Sequence, residues 1–185
     1  MDPGLAQTKA TDVLVARAQA TSAGAKYILF DSWFTSPKMI SAITKLQLGT
    51  VAMVKKTGRV SFLFNGKKLS NKEIYKRAKK RRGHSKYLLS VLVDVCYEDT
   101  VVPARLVYVR NRNKKSDYLV LTSTDTTLSE EEIIQLYGKR WDIEVFFKTC
   151  KSVLNLTGEC RSISYDAMCA QTAIVFTRYI FLAVA

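Results

Sequence analysis

Residues 27–54 read YILFDSWFTSPKMISAITKLQLGTVAMV, and the fold of the chain is best approached from this stretch. Its first four residues, Tyr27–Phe30, form a short apolar run bounded by turn-forming residues, which predicts a buried strand. Asp31 follows this strand directly, and parallel sheets place ligand-binding groups at such C-terminal strand ends. The alternative is that Asp31 only caps the following turn, which is a common role of Asp.

A helix and a second strand are predicted after Asp31. Ser36 followed by Pro37 is typical of a helix N-cap with proline at the first helical position. Apolar residues recur along this helix until Gly49 closes it. The run from Thr50 to Val54 is again short and apolar, which predicts another buried strand.

The middle of the chain has the sequence features of an antiparallel sheet. Asn65-Gly66 suits the positive φ angles of a tight turn and predicts a hairpin between 60–64 and 67–69. Three further strands at regular spacing predict a meander, with Pro103 at an edge or a bulge. These strands are predicted at 87–95, 101–110 and 118–122, and helices are predicted at 8–22, 71–82, 129–154 and 165–185.

Charge is the unusual property of the composition. The 185 residues include 29 Lys and Arg but only 16 Asp and Glu, which gives a net charge of +13 and a pI near 9.7. Such an excess favours polyanionic partners, namely DNA, RNA or an acidic membrane surface. The most basic segment is either a solvated charged helix or an arm that contacts the DNA backbone. Its cations are Lys76, Lys79, Lys80, Arg81, Arg82 and Lys86.

Cysteine and histidine usage argues against a zinc site. The four cysteines, at positions 96, 150, 160 and 169, form no CxxC pair, and His84 is the single histidine. This pattern predicts free, mostly buried thiols in a reducing cytosol. The longest apolar stretch, 173–185, contains Arg178 and is shorter than the ~20 residues of a membrane span, so a buried core helix is predicted there.

The helix predicted over 129–154 has an unusual arrangement of polar residues. At about 100° per residue, Tyr137, Arg140, Glu144 and Lys151 fall within one stripe about 60° wide. Apolar residues flank this stripe on both sides, and an ordinary solvated face lies opposite. Charges between apolar flanks are costly unless they are paired or bind a ligand.

Two explanations of this stripe remain open from the residues alone. Arg140 and Glu144 are spaced i,i+4, and an exposed pair of this kind contributes only about 0.3–0.5 kcal/mol to stability. Alternatively, a carboxylate near two cations and a tyrosine suits a site that handles phosphate and a divalent metal ion. Asp31 would then be the second carboxylate, because two-metal phosphoryl chemistry requires several acidic groups to converge.

The polar residues of the stripe also carry a family resemblance. Tyr137, Arg140, Glu144 and Lys151, spaced Y-x2-R-x3-E-x6-K, resemble the Y-R-E-K signature of insertion-sequence transposases with a DDE catalytic triad. The surrounding segment YGKRWDIEVFFKTCKSVLNL is similar to that family throughout, as are YILFDSWFTSP and RLVYVRNRNKKSDYLVLTST. The resemblance covers residues 8–185 and is to the C-terminal catalytic portion of these enzymes.

The resemblance implies an α/β fold with a ribonuclease H-like core, in which helices flank a mixed sheet. It also implies that 56–116 is a mainly β insertion within a partial catalytic domain that spans 1–185. Trp33 has no role assigned by the resemblance, and packing in the core is its simpler explanation.

Site residues, cofactor and partners follow from the same resemblance. Asp31 and Glu144 would be catalytic ligands of Mg²⁺ or Mn²⁺, and Tyr137, Arg140 and Lys151 would contact DNA phosphates. The implied partner is double-stranded DNA at transposon ends, bound by a homodimer in the synaptic complex in the bacterial cytoplasm, near the nucleoid and without a membrane. The basic segment adds four predicted contacts to the DNA backbone, Lys79, Lys80, Arg81 and Arg82.

One departure from the family pattern concerns its first catalytic Asp, which lies on an earlier strand. Asp2 and Asp12 are the acidic residues ahead of Asp31, and neither follows an apolar strand. The fold is therefore expected to lack its first strands, and the chain is expected to be N-terminally truncated and inactive alone. Two alternatives are a non-catalytic DNA-binding fragment that inhibits the full-length transposase, and a metal-dependent nuclease with fewer carboxylates.

Overall fold

The computed structural model describes residues 12, 15–16, 24–58, 60–81, 85–111, 114, 117–156, 158 and 164–184. The chain divides into two compact units, residues 1–137 and 138–185. The described elements are, in chain order, β1 (Tyr27–Phe30), α1 (Pro37–Lys45), β2 (Gly49–Met53), β3 (Ser61–Phe64), β4 (Lys67–Ser70), α2 (Asn71–Arg77), β5 (Tyr87–Tyr97), β6 (Thr100–Arg110), β7 (Tyr118–Ser123), α3 (Glu130–Gly138), α4 (Trp141–Ser152) and α5 (Tyr165–Val184).

The described strands form one mixed sheet with the order β1-β2-β7-β6-β5-β3-β4. β1 and β2 run parallel, whereas the other neighbouring pairs run antiparallel. Helix α1 connects β1 to β2, because parallel neighbours need a crossover connection. The predicted α/β class with a mixed sheet and helices is therefore confirmed. Strands β3 to β6, which lie within 56–116, belong to this same sheet, and the insertion itself stays a prediction.

Helix α1 begins as its sequence predicts, but the prediction that Gly49 closes it is wrong, because the helix ends at Lys45 and Gly49 already pairs with Tyr27 as the first residue of β2. The side chain of Ser36 accepts a hydrogen bond from the N–H of Met39 at 3.2 Å, and proline occupies the first turn. Met39, Ile40 and Ile43 are buried, and each such side chain contributes about 1.5–3 kcal/mol to stability. This packing anchors the segment that carries Asp31.

The hairpin and the meander also form as predicted. Asn65 and Gly66 connect β3 to β4 with positive φ angles of 50° and 72°. β5, β6 and β7 pair antiparallel in sequence order. Pro103 lies in β6 beyond the last pair with β7, which joins Ser123 to Arg105. It therefore occupies an edge position on that side, where a missing N–H costs no ladder bond.

The single helix predicted over 129–154 is wrong, because the structure has two helices there. A turn at Lys139 and Arg140 separates α3 from α4. In this turn, the N–H of Asp142 donates a hydrogen bond to the carbonyl oxygen of Lys139 at 3.0 Å, and the N–H of Ile143 donates one to that of Arg140 at 3.2 Å. Gly138 ends α3, and the low helix propensity of glycine favours a break at this point. The residues of the predicted polar stripe are therefore divided between two helices and the turn that separates them.

Burial of the apolar flanks differs between α3 and α4. In α3, Ile133 is fully buried beside Val51, although it lies one turn before Tyr137 on the side where the polar stripe was predicted. In α4, Trp141 and Ile143 are exposed by 61% and 52%. The prediction that both apolar flanks of the helix are buried is therefore wrong for α4. This helix has more apolar side chains than α5, its packing partner in the same unit, can cover.

The predicted helix at 165–185 forms as α5, but its predicted burial is wrong. Val175 is buried, whereas Ile180, Phe181 and Leu182 are each more than half exposed. Contact with α4 covers only one side of α5, through rings such as Phe176. Of the helices in the described ranges, none combines the length and apolar character that crossing a bilayer requires.

Three other predictions are met only in part. Cys150 is buried, but Cys96 and Cys169 are exposed. The prediction that most thiols are buried is therefore wrong for the described cysteines. Helix α2 is shorter than the predicted 71–82, because the backbone is already extended at Ala78. The predicted helix at 8–22 lies largely outside the described residues, of which 12, 15 and 16 are helical. Cys160, His84 and Arg82 also lie outside them.

Candidate functional site

Asp31 lies half-buried at the C-terminal end of β1. Its Oδ1 accepts a hydrogen bond from the backbone N–H of Trp33 at 2.8 Å. This is the turn-capping contact that the simpler explanation of Asp31 predicts. Among the residues that the structure describes, Oδ2 has no hydrogen-bond donor, so one oxygen is open to a ligand.

Thr35 fixes the backbone beside Asp31. Its buried hydroxyl lies 3.0 Å from the carbonyl oxygen of Asp31 and 2.6 Å from that of Met53, at the end of β2. A hydroxyl has one proton to donate, and the shorter distance favours Met53 as the acceptor. Through this side chain, the C-terminal ends of the two parallel strands are held together.

Two lysines follow β2 at the same edge of the sheet. Lys55 Nζ lies 4.4 Å from the ring centroid of Trp33, and Lys56 Nζ lies 4.7 Å from that of Tyr118. A cation over an aromatic face is attracted by the ring quadrupole. Trp33 is 73% exposed, so the prediction that it packs in the core is wrong. The turn that Asp31 caps carries it off the end of the sheet, away from the core.

A second carboxylate, that of Asp117, precedes β7 at this edge. Asp117 is ion-paired with Lys56, and its Oδ1 also accepts the backbone N–H of Tyr118 at 2.9 Å. The hydrogen bond from Lys56, and then that from Tyr118, lowers the pKa of the Asp117 carboxyl. Sequence reasoning missed Asp117, Lys55 and Lys56, because only the long-range pairing of β2 with β7 brings them together. The one local signal was an Asp placed just before a strand.

The basic segment follows α2 in the first unit, and Lys79, Lys80 and Arg81 are exposed. Lys80 Nζ lies 4.7 Å from the ring centroid of Tyr75. The Arg81 guanidinium lies 4.8 Å from the ring centroid of Tyr87 and also hydrogen-bonds its hydroxyl. Two of the predicted DNA contacts are therefore cations held on aromatic rings, not side chains of a regular solvated helix.

Arg140 and Glu144 lie together in the second unit. Arg140 Nη2 donates a hydrogen bond to Glu144 Oε1 at 2.7 Å, and the two side chains are 23% and 46% exposed. The i,i+4 ion pair predicted as the simpler explanation is therefore present, with a contribution of about 0.3–0.5 kcal/mol. The same bond holds the Glu144 carboxylate in one orientation at the surface.

The remaining members of the predicted stripe have different surroundings. Tyr137, at the end of α3, packs against the core cluster that contains Ile133. Lys151 is exposed in the last turn of α4. The first unit contains Asp31 and Tyr137, and the second contains Arg140, Glu144 and Lys151. A meeting of the Asp31 and Glu144 carboxylates stays a prediction.

Carboxylate oxygens are the ligands that Mg²⁺ and Mn²⁺ prefer, so Asp31 and Glu144 fit such ions in their chemistry. In the described ranges, no three His, Cys, Asp or Glu side chains cluster closely enough to hold a metal ion. Each carboxylate has the exposure that a metal ligand needs, but neither forms a site by itself.

A family model described as Transposase DDE domain matches residues 6–181 of the chain. The match covers nearly the whole sequence and confirms the resemblance to transposases of the DDE type. Membership of the Y-R-E-K group stays a prediction. No curated protein matches the chain.

Proposed function

Because the chain belongs to the transposase DDE domain family, which acts in DNA transposition, we propose that Asp31 and Glu144 hold Mg²⁺ or Mn²⁺ for the cleavage and joining of DNA at transposon ends. The main support is the position of Asp31 at the C-terminal end of a parallel strand, with one carboxylate oxygen open. When bound, the metal ions supply activation of the attacking oxygen and stabilisation of the leaving oxygen.

Arg140 has two roles in this proposal. It orients Glu144 through the 2.7 Å hydrogen bond, and its planar guanidinium suits phosphate oxygens. Lys151 and Tyr137 contact phosphates near the cut. The excess charge of +13 supports duplex DNA as the partner. The basic segment contacts the backbone without reading sequence, through Lys79, Lys80, Arg81 and Arg82.

We propose further that the 185 residues bind DNA without cleaving it, and that synapsis requires two copies. The family triad needs a third carboxylate, and the acidic residues ahead of Asp31 are Asp2 and Asp12. Asp12 is helical and lies 3.8 Å from the Lys38 ammonium. Asp2 lies outside the described residues.

Mn²⁺ binding to the full chain, followed by electron paramagnetic resonance, tests the metal ligands. Asp31→Asn and Glu144→Gln should each weaken binding by at least about tenfold, since even partners behind the direct ligands cost about 10–100-fold. Asp166→Asn is the matched control, because Asp166 is an exposed carboxylate at the start of α5. Unchanged Mn²⁺ affinity in both site variants would contradict the proposal.

Incubation with labelled duplex DNA and Mg²⁺ tests the chemistry. The chain should retain the DNA without cutting it, and Glu144→Ala should retain it equally well. Cleavage that Glu144→Ala abolishes would support the site but overturn the proposed inactivity. General nicking that survives Glu144→Ala would favour the alternative of a nuclease that uses other residues.

A further inference from the structure

A row of aromatic rings and lysines begins at the sheet edge that carries Asp31 and continues to helix α2 and the residues after it. This aromatic–lysine row consists, in spatial order, of Trp33, Lys55, Lys56, Tyr118, Tyr75 and Lys80. Three of its contacts are a lysine Nζ over a ring, at 4.4 Å for Trp33 and at 4.7 Å for both tyrosines. The two tyrosine rings stack with their centroids 4.2 Å apart. All six residues belong to the first unit.

A groove of about 360 Å³ lies beside the two central lysines of the row, Lys55 and Lys56. Ser32, which precedes Trp33 in the chain, lines one part of the groove, and Leu119, which follows Tyr118 in the chain, lines another. Lys55 and Lys56 also line the groove. Its volume is at the lower end of the range of about 300–1,000 Å³ that ligand sites occupy. The surface beside Lys55 and Lys56 is therefore concave.

Binding capacity remains open along this surface. Lys55 covers part of one face of Trp33, but the side chain is still 73% exposed. Asp117 neutralises Lys56, whereas neither Lys55 nor Lys80 contacts a carboxylate within the part of the chain that is described. A stacking ring next to cations without an acidic partner suits a ligand with both planar bases and phosphates.

We propose that the aromatic–lysine row binds an unpaired stretch of a DNA strand, with one base stacked on Trp33 and the phosphates beside Lys55 and Lys80. A duplex keeps its base faces covered by their neighbours, so only unpaired nucleotides can offer a face to the ring. The choice of DNA as the polymer rests on the proposed function, but the proposal does not depend on the metal ligands.

Tryptophan fluorescence gives a direct test, because Trp33 and Trp141 are the two tryptophans of the chain. In a Trp141→Phe background, all tryptophan emission comes from Trp33. An oligothymidylate should quench this emission, whereas an abasic strand with the same number of phosphates and a blunt duplex should not. Equal quenching by the abasic strand, by the duplex or by polyglutamate would overturn the proposal, since each lacks an accessible base.

Affinity measurements separate stacking from charge. Trp33→Ala should weaken binding of the oligothymidylate by roughly 5- to 150-fold, the range measured for loss of one base–aromatic stack. The same variant should bind blunt duplex as the unmodified chain does. Trp33→Phe should show a smaller loss, because a ring remains. Trp33 is exposed, so these variants should keep their unfolding midpoint, which circular dichroism checks.

The outcomes distinguish this proposal from the proposed function. If the chain binds duplex but Trp33→Ala binds the oligothymidylate as tightly as the unmodified chain, only the aromatic–lysine row is refuted. If the chain binds neither duplex nor single strand, both proposals fail. Lys55→Gln provides a second variant, which should lower affinity for both the oligothymidylate and the abasic strand because it removes a phosphate contact.

Discussion

Tyr108 shows how one hydroxyl joins a helix to the sheet. The residue is fully buried in β6, and its hydroxyl donates a hydrogen bond to the carbonyl oxygen of Asn71, at the start of α2, at 2.8 Å. Burial raises the pKa of Tyr108, so the hydroxyl keeps its proton and remains a donor. Tyr108→Phe would leave the Asn71 carbonyl without this donor, and we expect the free energy of unfolding in urea to fall by about 1–2 kcal/mol.

Tyr97→Phe is the matched control for this change. Tyr97 lies at the end of β5 and is only partly buried. Removing the Tyr97 hydroxyl should alter the free energy of unfolding by no more than about 0.5 kcal/mol. Equal effects of the two changes would show that the buried hydrogen bond is not what stabilises the contact between β6 and α2.

At single residues, the sequence predicted local contacts better than exposure. The N-cap role of Ser36 and the turn-capping alternative for Asp31 depend on neighbours within three positions, and both contacts are present. Trp33 was predicted to pack in the core because no other role was assigned to it. Whether it is covered depends on what lies beyond the end of β1, which its neighbours in sequence do not determine.

Helices α2 and α3 begin with the same Ser-x-x-Glu capping box. In α3, the Ser129 hydroxyl accepts the N–H of Glu132 at 3.3 Å, and the Glu132 carboxylate accepts the N–H of Ser129 at 2.8 Å. In α2, Ser70 and Glu73 make the same contacts. Ser129→Ala should lower the free energy of unfolding by about 0.5–2 kcal/mol, measured by urea denaturation. No change would mean that packing alone stabilises the start of α3.

The capping box of α3 also makes stability depend on pH. The hydrogen bond from the Ser129 side chain lowers the pKa of Glu132 below its ordinary value of 4.5. A lowered pKa contributes stability that is present above this value and is lost as the pH falls below it, when the folded carboxylate gains a proton. Glu132→Gln should therefore flatten the decrease in unfolding temperature below pH 4.5.

Glu131→Gln is the control for this measurement. It removes a neighbouring exposed carboxylate that is not part of the capping box. The acid profile of this variant should retain the slope of the unmodified chain. If Glu131→Gln flattens the profile as much as Glu132→Gln, overall charge and not the capping contact causes the pH dependence.

Elements were predictable where their determinants are local. Asn65 and Gly66 specify the hairpin through their own φ angles, and the meander follows from the spacing of its strands. The break between α3 and α4 was missed because apolar periodicity continues through Lys139 and Arg140. Gly138 was the available signal, but an isolated glycine is often tolerated inside a helix.

At the scale of the whole molecule, the sheet order could not be derived from pattern. β7 lies between β2 and β6, and pairs such as Val51 with Ser123 join positions far apart in sequence. The α/β class followed only from the family resemblance, which the family match confirms. For the candidate site, the sequence identified Asp31, but the neighbouring Lys56–Asp117 pair exists only because of this strand order.

The net charge of +13 predicts salt-dependent binding of duplex DNA. Lys79 and Lys80 are exposed after α2 and are two of the proposed contacts to the DNA backbone. Changing both to Gln should reduce the slope of log affinity against log salt concentration by about 1.8, because each phosphate contact contributes about 0.9. Fluorescence anisotropy of a labelled duplex across a salt series measures this slope.

Lys26→Gln with Lys45→Gln removes the same charge from exposed positions outside the basic segment. This double variant should keep the slope of the unmodified chain within error. Equal slopes for the two double variants would show that net charge, not the basic segment, determines the interaction with duplex DNA.

The exposed thiols of Cys96 and Cys169 provide one attachment point in each unit. Burial raises the pKa of the Cys150 thiol and shields it from maleimide reagents, and Cys160→Ser would remove the remaining cysteine. A donor and an acceptor dye can therefore be attached to the chain without adding new residues. Energy transfer between the dyes will then report, in solution, whether a nucleic acid brings the two halves of the polypeptide closer together.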